Sequence, residues 1–494
     1  MNHGTIYTSL FVRGTNNGEE NLMEKLFKVK ENGSTVKTEI LAGFSTFMTM
    51  AYIIALNPNL LTNFNTGSPL WNAVFMATVI SSAIGTFVMA FAANKPFVMA
   101  PGMGLNSFFA VVVANIAAIT GLSYEASFNA GLCIILVEGI VFIVLTFLKV
   151  REKIVEAIPL GVRIGISPAI GMMLLNIGLG SNAGVYSETG GPFYMLGTFF
   201  TNLTPSITKE AMGSGWNTML LYVVTTFIGL FLIVALNHKK VKGSVLFGML
   251  GASIVYWIGC FMLGNNPFEA LATASWAPPF ADMFEMTFFK FDFASMFEIG
   301  WLSAVMLIVT FCMIDMFDTV GTLVGTASRA GMVDEKGNMP NLREALFADA
   351  VGTTVGALTG TSTVTTFVES AAGVEEGGRT GLTAFTAGVC FLACMFLSPI
   401  AALIPAPATS AALIYVGVLM IGGLKNVNFD DVSQVLPTAL MLIAMPVTGS
   451  IGHGIGLAII AYTVTALLTG KKSEISGLTY VLALMFICKF FLVV

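Results

Sequence analysis

Long apolar runs with almost no charged residues are the feature that most constrains how this chain can fold. The runs are about 15–24 residues long, the length that a helix needs to cross a hydrocarbon layer of about 30 Å. Of the 494 residues, 55% are hydrophobic and 10% are charged, whereas soluble domains carry about a quarter charged residues. The sequence therefore predicts an all-α polytopic membrane protein whose partner over most of its surface is the lipid bilayer.

Fourteen segments of the chain fit this description. They are predicted at 38–61, 72–93, 97–113, 125–148, 157–179, 217–237, 243–263, 300–323, 343–358, 362–373, 380–403, 408–423, 434–448 and 451–469. A further apolar stretch, 475–493, is either an additional span or a helix lying in the membrane interface. With a cytoplasmic N-terminus, only Lys209 and Lys290 fall on outside connections, so the charge pattern obeys the positive-inside rule.

The two halves of the chain share a faint internal repeat. Residues 77–85 in the second segment match residues 348–356 in the ninth, and Ile158-Pro159 matches Ile404-Pro405. Each match spans seven segments, an odd number, so the second half must enter the membrane from the opposite side. Inverted repeats of this kind place a substrate near the membrane midplane, at interrupted helices. The predicted architecture is a seven-plus-seven inverted repeat.

This topology divides the chain into five parts. They are a polar cytoplasmic tail (1–36), the first repeat (37–263), an extracellular connection (264–299), the second repeat (300–470) and a C-terminal apolar helix (471–494). Met1 and Met23 are both candidate natural starts. Because no cleavable signal is evident, we expect a multi-pass protein of the bacterial inner membrane.

Segments three and ten, which correspond in the repeat, are both predicted to be interrupted. In the third, Pro101 and Gly102 disfavour a helix, so an extended piece should lead into a half-helix that starts around Gly104–Asn106. In the tenth, β-branched residues favour an extended approach, with Glu369 near the start of the next half-helix. Two helix N-termini that meet in this way offer N–H donors to a polar ligand.

Three acidic residues are the main candidates for chemistry within the membrane. Asp315 and Asp318 share one face of the eighth segment because they are three residues apart. We expect both to face the cavity that Glu369 enters from the tenth segment. Burial and like-charged neighbours favour the protonated form of a carboxyl group, so these three residues are the candidates for proton coupling.

Residues beside the interruptions complete the predicted site. Asn106, Gly104 and Thr366 are candidates for contacts with a polar substrate. Phe108 and Phe367 are candidates for stacking on a flat ring, although packing is the ordinary role of a phenylalanine in such a chain. A carboxylate is suited to accept hydrogen bonds from the N–H edge of a heterocycle.

Other unusual residues within the segments are interpreted as structural. Glu138 and Asp349 are predicted to form hydrogen bonds between helices, and Gly321 and Gly325 to permit close helix packing. The spacing of the cysteines and histidines predicts no metal site. The sequence therefore indicates no cofactor other than a proton gradient, and its charge pattern does not suggest binding of nucleic acid.

Several motifs, taken in order, resemble those of one transporter family. They are TEILAGF (38–44), MAYII (50–54), APGMGLN (100–106), DMFDTVGTL (315–323), GTSTVTT (360–366), ESAAGV (369–374) and EGGRTGL (376–382). The chain looks like a member of the AzgA-like purine permeases, a branch of the nucleobase–ascorbate (NCS2) transporters. The resemblance extends from about Thr38 to the last helix.

This resemblance implies a function and a set of site residues. It implies core and gate domains, dimerisation through the gate, and proton-coupled uptake of adenine, guanine or hypoxanthine. In the family, residues matching Asn106, Asp315 and Glu369 contact the purine, and Asp318 would support the site or the proton. The stretch 167–169 departs from the Gly-rich sequence that relatives have at this place. The difference affects the expected opening of the gate and not the expected substrate class.

Two alternatives stay open at this stage. An anion carrier of the same architecture, for sulfate or bicarbonate, would have to overcome repulsion from Asp315 and Glu369 unless these residues are protonated. A membrane enzyme is disfavoured, because no HExxH zinc motif occurs and both aspartates of the eighth segment lie on one helix. The preference between adenine and guanine or hypoxanthine is not fixed by the sequence.

Overall fold

The computed structural model describes residues 24–148, 159–180, 204, 209, 215–272, 274–329, 331–333 and 339–492. Its first elements are α1 (Val36–Met50), α2 (Ile53–Leu61), α3 (Pro69–Val88), β1 (Met99–Pro101), α4 (Met103–Thr120), α5 (Tyr124–Phe147), α6 (Leu160–Gly178), α7 (Gly215–His238), α8 (Ser244–Met262), α9 (Phe280–Met286) and α10 (Phe293–Glu298). They are followed by α11 (Trp301–Arg329), α12 (Leu342–Thr359), β2 (Val364–Thr366), α13 (Ser370–Glu375), α14 (Gly381–Ala393), α15 (Ser398–Ala402), α16 (Ala406–Ile421), α17 (Val432–Thr448), α18 (Ile451–Leu468) and α19 (Gly477–Leu492). The tail up to Met23 and the first two residues of the predicted segment 157–179 lie outside the described residues.

Within the described part of the chain, eleven helices are long and apolar enough to cross a membrane. The protein is therefore a helical, polytopic membrane protein, as predicted. Three of the fourteen predicted segments have no counterpart among these eleven helices. Segment 343–358 corresponds to α12, which carries three charged residues, and segment 434–448 corresponds to α17, which has only 17 residues. Segment 362–373 corresponds to β2 and to the six-residue helix α13. The count of fourteen and the inverted repeat stay predictions.

A two-stranded antiparallel sheet of six residues lies among the helices. Ala100 of β1 lies opposite Thr365 of β2. The pairing continues beyond both strands, because Gly102 N donates to Thr363 O (3.0 Å) and Phe367 N donates to Val98 O (3.0 Å). The sequence predicted extended backbone at both places but not that the two pieces pair with each other. The pairing satisfies backbone groups that a membrane interior could not hydrate.

The helices pack in two bundles. The strand bundle contains α1–α5 and α11–α14, which pack mainly on one another and surround the strands, and the second bundle contains α6–α8 and α16–α18. Within the strand bundle, α3 and α12 cross at Gly85 and Gly352, where a Cβ added to Gly85 would lie 3.3 Å from Gly352 Cα. The region 264–299 covers one end of this crossing, since Thr287 Oγ1 donates to Thr359 O (2.8 Å).

The first predicted segment, 38–61, is interrupted in its middle. α1 ends at Met50 and α2 begins at Ile53, with Ala51 and Tyr52 in a turn between them. The bonds from Ile54 N to Ala51 O and from Ala55 N to Tyr52 O have the tighter i to i+3 spacing. Prediction from sequence gave one continuous segment here, because no glycine or proline lies between Gly43 and Pro58.

Two further expectations from the sequence need correction. Gly321 and Gly325 were predicted to lie against another helix, but a Cβ added to either would meet nothing within 4 Å. The tail was predicted to be polar throughout, yet Phe27 and Val29 are buried, and the Phe27 ring stacks on Phe91 at 5.6 Å. The end of the tail therefore packs on the strand bundle.

The N-terminus of α14 is fixed by a buried carboxylate from α1. Glu39 accepts hydrogen bonds from Arg379 N (2.9 Å), Thr380 N (3.2 Å) and Thr383 Oγ1 (2.6 Å). These contacts satisfy N–H groups at the start of α14 that have no partner within the helix, and the negative charge suits the positive end of the helix dipole. They hold α14 close to its neighbours.

Substitution of Gly381 by alanine is expected to destabilise the protein at this contact. The added Cβ would lie 2.1 Å from the backbone oxygen of Ala90, so one of the two segments must shift. We expect a loss of about 1–3 kcal/mol of stability, typical of overpacking. Gly477, also the first residue of its helix, has nothing within 4 Å and is the matched control. Thermal unfolding of both purified variants measures the difference, and equal melting temperatures would contradict the prediction.

Candidate functional site

The strand pair positions the first group of predicted site residues. α4 begins at Met103, directly after β1, and carries the fully buried Asn106 in its first turns. Asn106 Nδ2 donates to Pro101 O (3.1 Å), and Asn106 Oδ1 accepts a hydrogen bond from Ser362 Oγ. Asn106 therefore connects the start of α4 to the segment that leads into β2.

Gly102 brings the two strands into contact with α11. A Cβ added to Gly102 would lie 2.6 Å from Thr365 Cγ2 and 3.8 Å from Asp318 Oδ2. Any larger residue at this position would push β1 away from β2. The close approach places Asp318 of α11 beside the strand pair.

The hydroxyl group of Thr319 is the centre of a buried polar cluster. Thr319 Oγ1 lies 3.0 Å from Asp315 Oδ1, 2.7 Å from Asp349 Oδ1 and 2.6 Å from Thr365 Oγ1. The hydroxyl has one hydrogen, so at any moment it donates to one of these three oxygens. The cluster joins α11, α12 and β2, with both carboxylates fully buried.

Glu369 lies at the other end of β2, immediately before α13. Tyr52 Oη donates to Glu369 Oε1 at 2.7 Å. The charges of Asp349 and Glu369 both act on the half-buried Asp318 carboxyl. The three predicted acids therefore converge on one region, because Asp315 is linked to Asp349 through Thr319 and Asp318 interacts with both Asp349 and Glu369.

The other predicted site residues surround the same strands. Thr366 is buried, and its Oγ1 has no hydrogen-bond partner among the described residues. Phe108 is buried against Phe311 of α11, with ring centroids 4.7 Å apart, and Phe367 is also buried. Gly104 faces the second bundle, where an added Cβ would lie 2.6 Å from Ile170 Cγ2. Gly104 therefore lies at a tight contact between the bundles.

Sequence reasoning missed four residues of this region. Tyr52, Thr319, Ser362 and Thr365 contact predicted site residues, yet each is of a type that is common in apolar helices and turns. Their positions inside the quoted motifs were the available signal. Asp349 takes part in a hydrogen bond between two helices, as predicted. Glu138 accepts a hydrogen bond from Thr363 Oγ1 (2.7 Å), which lies just before β2 rather than on a helix.

The arrangement offers hydrogen-bonding groups that can contact a polar ligand. Across the residues with described positions, no group of three or more His, Cys, Asp or Glu is placed to hold a metal ion. The site instead offers carboxylate, amide and hydroxyl groups around two paired strands. Such groups can accept and donate hydrogen bonds along the edge of a heterocycle.

A family model described as "Permease family", Xan_ur_permease, matches residues 37–453. The chain belongs to this family. The predicted resemblance to nucleobase permeases is thereby confirmed, and the permease is a transporter rather than an enzyme. Among curated proteins, the permease is 35% identical to adenine permease AdeP of Escherichia coli, over 96% of this chain and 97% of AdeP. It is 36% identical to guanine/hypoxanthine permease PbuO of Bacillus subtilis, over 94% of this chain and all of PbuO.

Solved structures show the same fold at low sequence identity. The transmembrane domain of the cyanobacterial bicarbonate transporter BicA is 16% identical, with a TM-score of 0.59 over 85% of this chain and 97% of that domain. The murine anion transporter Slc26a9 in its inward-facing state is 10% identical, with a TM-score of 0.61 over 93% of this chain and 73% of that protein. These similarities concern the fold of the permease and not its substrate.

Proposed function

We propose that this permease imports a purine nucleobase together with a proton and binds both at the strand pair. The observation that carries the proposal is the convergence of Asp315, Asp318 and Glu369 around β1 and β2, with Asn106 bonded to Pro101 and Ser362 beside the same strands. Acids inside a membrane are costly and mark substrate or proton pathways. The full-length relatives are named as permeases for adenine or for guanine and hypoxanthine.

A purine would bind through its edge and its face. Asp315 and Glu369 would accept hydrogen bonds from ring N–H groups, while Asn106 and Thr366 would meet the remaining polar atoms. Phe108 and Phe367 would contact the flat ring. A site that hydrogen-bonds its ligand also rejects analogues that lack the matching group, because buried polar atoms would lose their partners.

Proton coupling would follow from the number of acids in the site. Several carboxylates in a small buried region repel one another, so uptake of one proton lowers the cost of the cluster. A loaded and neutralised site could then cross the apolar region between the bundles, whereas an empty, charged site would be held back. Alternating access would arise from movement of the strand bundle relative to the second bundle.

The finer architecture belongs to the same proposal. We propose a seven-plus-seven inverted repeat of fourteen spans with interrupted third and tenth segments, the strand bundle as core and the second bundle as gate. In support, the pairing is symmetric about Ala100 and Thr365, and β1 and β2 both lie where α3 crosses α12. A cytoplasmic N-terminus, a bacterial inner membrane and a homodimer formed through the gate complete the proposal.

The fold similarity to bicarbonate and anion transporters makes an anion the second candidate substrate. The acids of the site disfavour it, because an anion beside Asp315 and Glu369 would be repelled unless they are protonated. The proposed substrate is therefore a neutral purine.

Uptake into cells that lack their own purine carriers tests the proposed function. We expect concentrative uptake of labelled hypoxanthine or adenine, abolished by a protonophore, because accumulation depends on the proton gradient. Excess unlabelled purine should compete, and unlabelled uracil, sulfate and bicarbonate should not. Uptake that is insensitive to the protonophore, or competition by sulfate, would contradict the proposal.

A further inference from the structure

Tyr52 occupies the interruption between α1 and α2, directly opposite the start of α13. Its side chain is fully buried, and its Oη donates to Glu369 Oε1 at 2.7 Å. A hydrogen bond between a neutral donor and a carboxylate is charge-assisted and stronger than one between neutral groups.

We propose that Tyr52 is a positioning residue, which orients the Glu369 carboxylate toward the strand pair and sets the pH range of proton-coupled uptake. The inference rests on the proposed role of Glu369 as a site for purine and proton. Tyr52 itself need not contact the purine. Tyr52 acts on the Glu369 carboxyl group, which is the group proposed to contact the purine.

The contact between α1 and α13 makes Tyr52 a fixed donor. Gly373 of α13 lies so close to α1 that an added Cβ would be 2.2 Å from Thr46 Oγ1 and 2.7 Å from Ala42 O. α13 therefore rests on the two turns of α1 that precede Tyr52. Because both helices are held at this contact, the distance between Tyr52 Oη and the Glu369 carboxyl is determined by packing.

The charged and titratable groups near Glu369 act in opposite directions. Asp318 of α11 lies close enough to interact with the charges of both Glu369 and Asp349 of α12. Their repulsion favours a protonated Glu369, whereas the hydrogen bond from Tyr52 favours the carboxylate. Tyr52 therefore delays protonation until the pH is lower.

Of the other acids on or beside α1 and α13, Glu39 and Glu376 have partners of their own and Glu375 is exposed. Glu39 of α1 binds the N-terminus of α14, 13 residues before Tyr52 in the chain. Glu376, which follows α13, accepts a hydrogen bond from Ser45 Oγ and forms an ion pair with Lys242. Tyr52 is thus the side chain of the described residues for which a hydrogen bond to the Glu369 carboxyl group is seen.

The pH dependence of purine uptake by Tyr52→Phe tests this role. The variant removes one hydroxyl group and keeps the ring, so protonation of Glu369 becomes easier. We expect the pH of half-maximal uptake to move upward by about one unit. Tyr124→Phe is the matched control, because Tyr124 Oη donates to Leu61 O (2.8 Å) away from Glu369 and its loss should leave the midpoint unchanged.

Two further variants separate positioning from a general structural role. Glu369→Asp keeps Tyr52 but withdraws the carboxyl group from it by one methylene, and its midpoint should also move upward. In a Glu369→Gln background, where coupling to the proton is already lost, Tyr52→Phe should cause no further change in equilibrium binding of labelled purine. A midpoint that stays at the wild-type value in both Tyr52→Phe and Glu369→Asp overturns the role of Tyr52 while purine uptake stands. Absence of purine uptake by the wild-type permease would instead overturn the proposed function, and the role of Tyr52 with it.

Discussion

Replacement of Glu369 by glutamine is expected to abolish concentrative purine uptake. The amide keeps the size of the side chain and still accepts a hydrogen bond from Tyr52 Oη, but it cannot take up a proton. Loss of a hydrogen bond to a charged group corresponds to a decrease of about 10- to 100-fold in purine affinity. Accumulation against a gradient should disappear entirely, because its coupling to the proton gradient is lost.

Initial uptake rates across a pH series, with and without a protonophore, measure this effect. Glu375→Gln is the matched control, since Glu375 is an exposed carboxylate at the last position of α13, the short helix that follows Glu369. The control should keep the rate and the pH dependence of the wild-type permease. Wild-type behaviour in Glu369→Gln itself would refute the assignment of Glu369.

The second large effect is expected for Asp315→Asn. Asp315 and Asp349 share the hydroxyl group of Thr319, so a change at Asp315 alters both the purine contact and the charge of the cluster. The amide would present an N–H group where the ring N–H of the purine needs an acceptor. We expect uptake to fall by about 10- to 100-fold, as for the loss of a hydrogen bond to a charged group.

Asp282→Asn is the control for this substitution. Asp282 of α9 accepts a hydrogen bond from Asn72 Nδ2 of α3 (2.7 Å), outside the strand pair. The chemical change from aspartate to asparagine is the same in both variants. Uptake at saturating and limiting purine concentrations distinguishes weaker binding from slower transport. Equal uptake by both variants would remove Asp315 from the site.

Much of the fold could be predicted because the membrane imposes strict patterns on a sequence. Apolar length locates the helices, and Pro101 with its neighbouring glycines marks an extended piece before the start of a helix. The same local reasoning could not reveal that β1 pairs with β2. Their register depends on contacts between residues about 265 positions apart in sequence, and no local pattern encodes such a distance.

The interruption at Tyr52 was missed for a related reason. Its local sequence, MAYII, has the composition of an ordinary membrane helix, so nothing in it marks a break. The packing predicted for Gly321 and Gly325 also failed, because small residues permit a close approach without supplying a partner. The acids, by contrast, could be identified from sequence, since a carboxyl group in an apolar segment is costly unless it has a function.

Binding of labelled purine to the purified permease tests the central claim most directly. Hypoxanthine or adenine should bind at equilibrium and be displaced by unlabelled purine, whereas Glu369→Gln and Asp315→Asn should bind about 10- to 100-fold more weakly. Because binding requires neither a membrane potential nor movement of the bundles, this measurement reports the site alone. Wild-type affinity in both variants would show that purines bind elsewhere, and the strand pair would not be the substrate site.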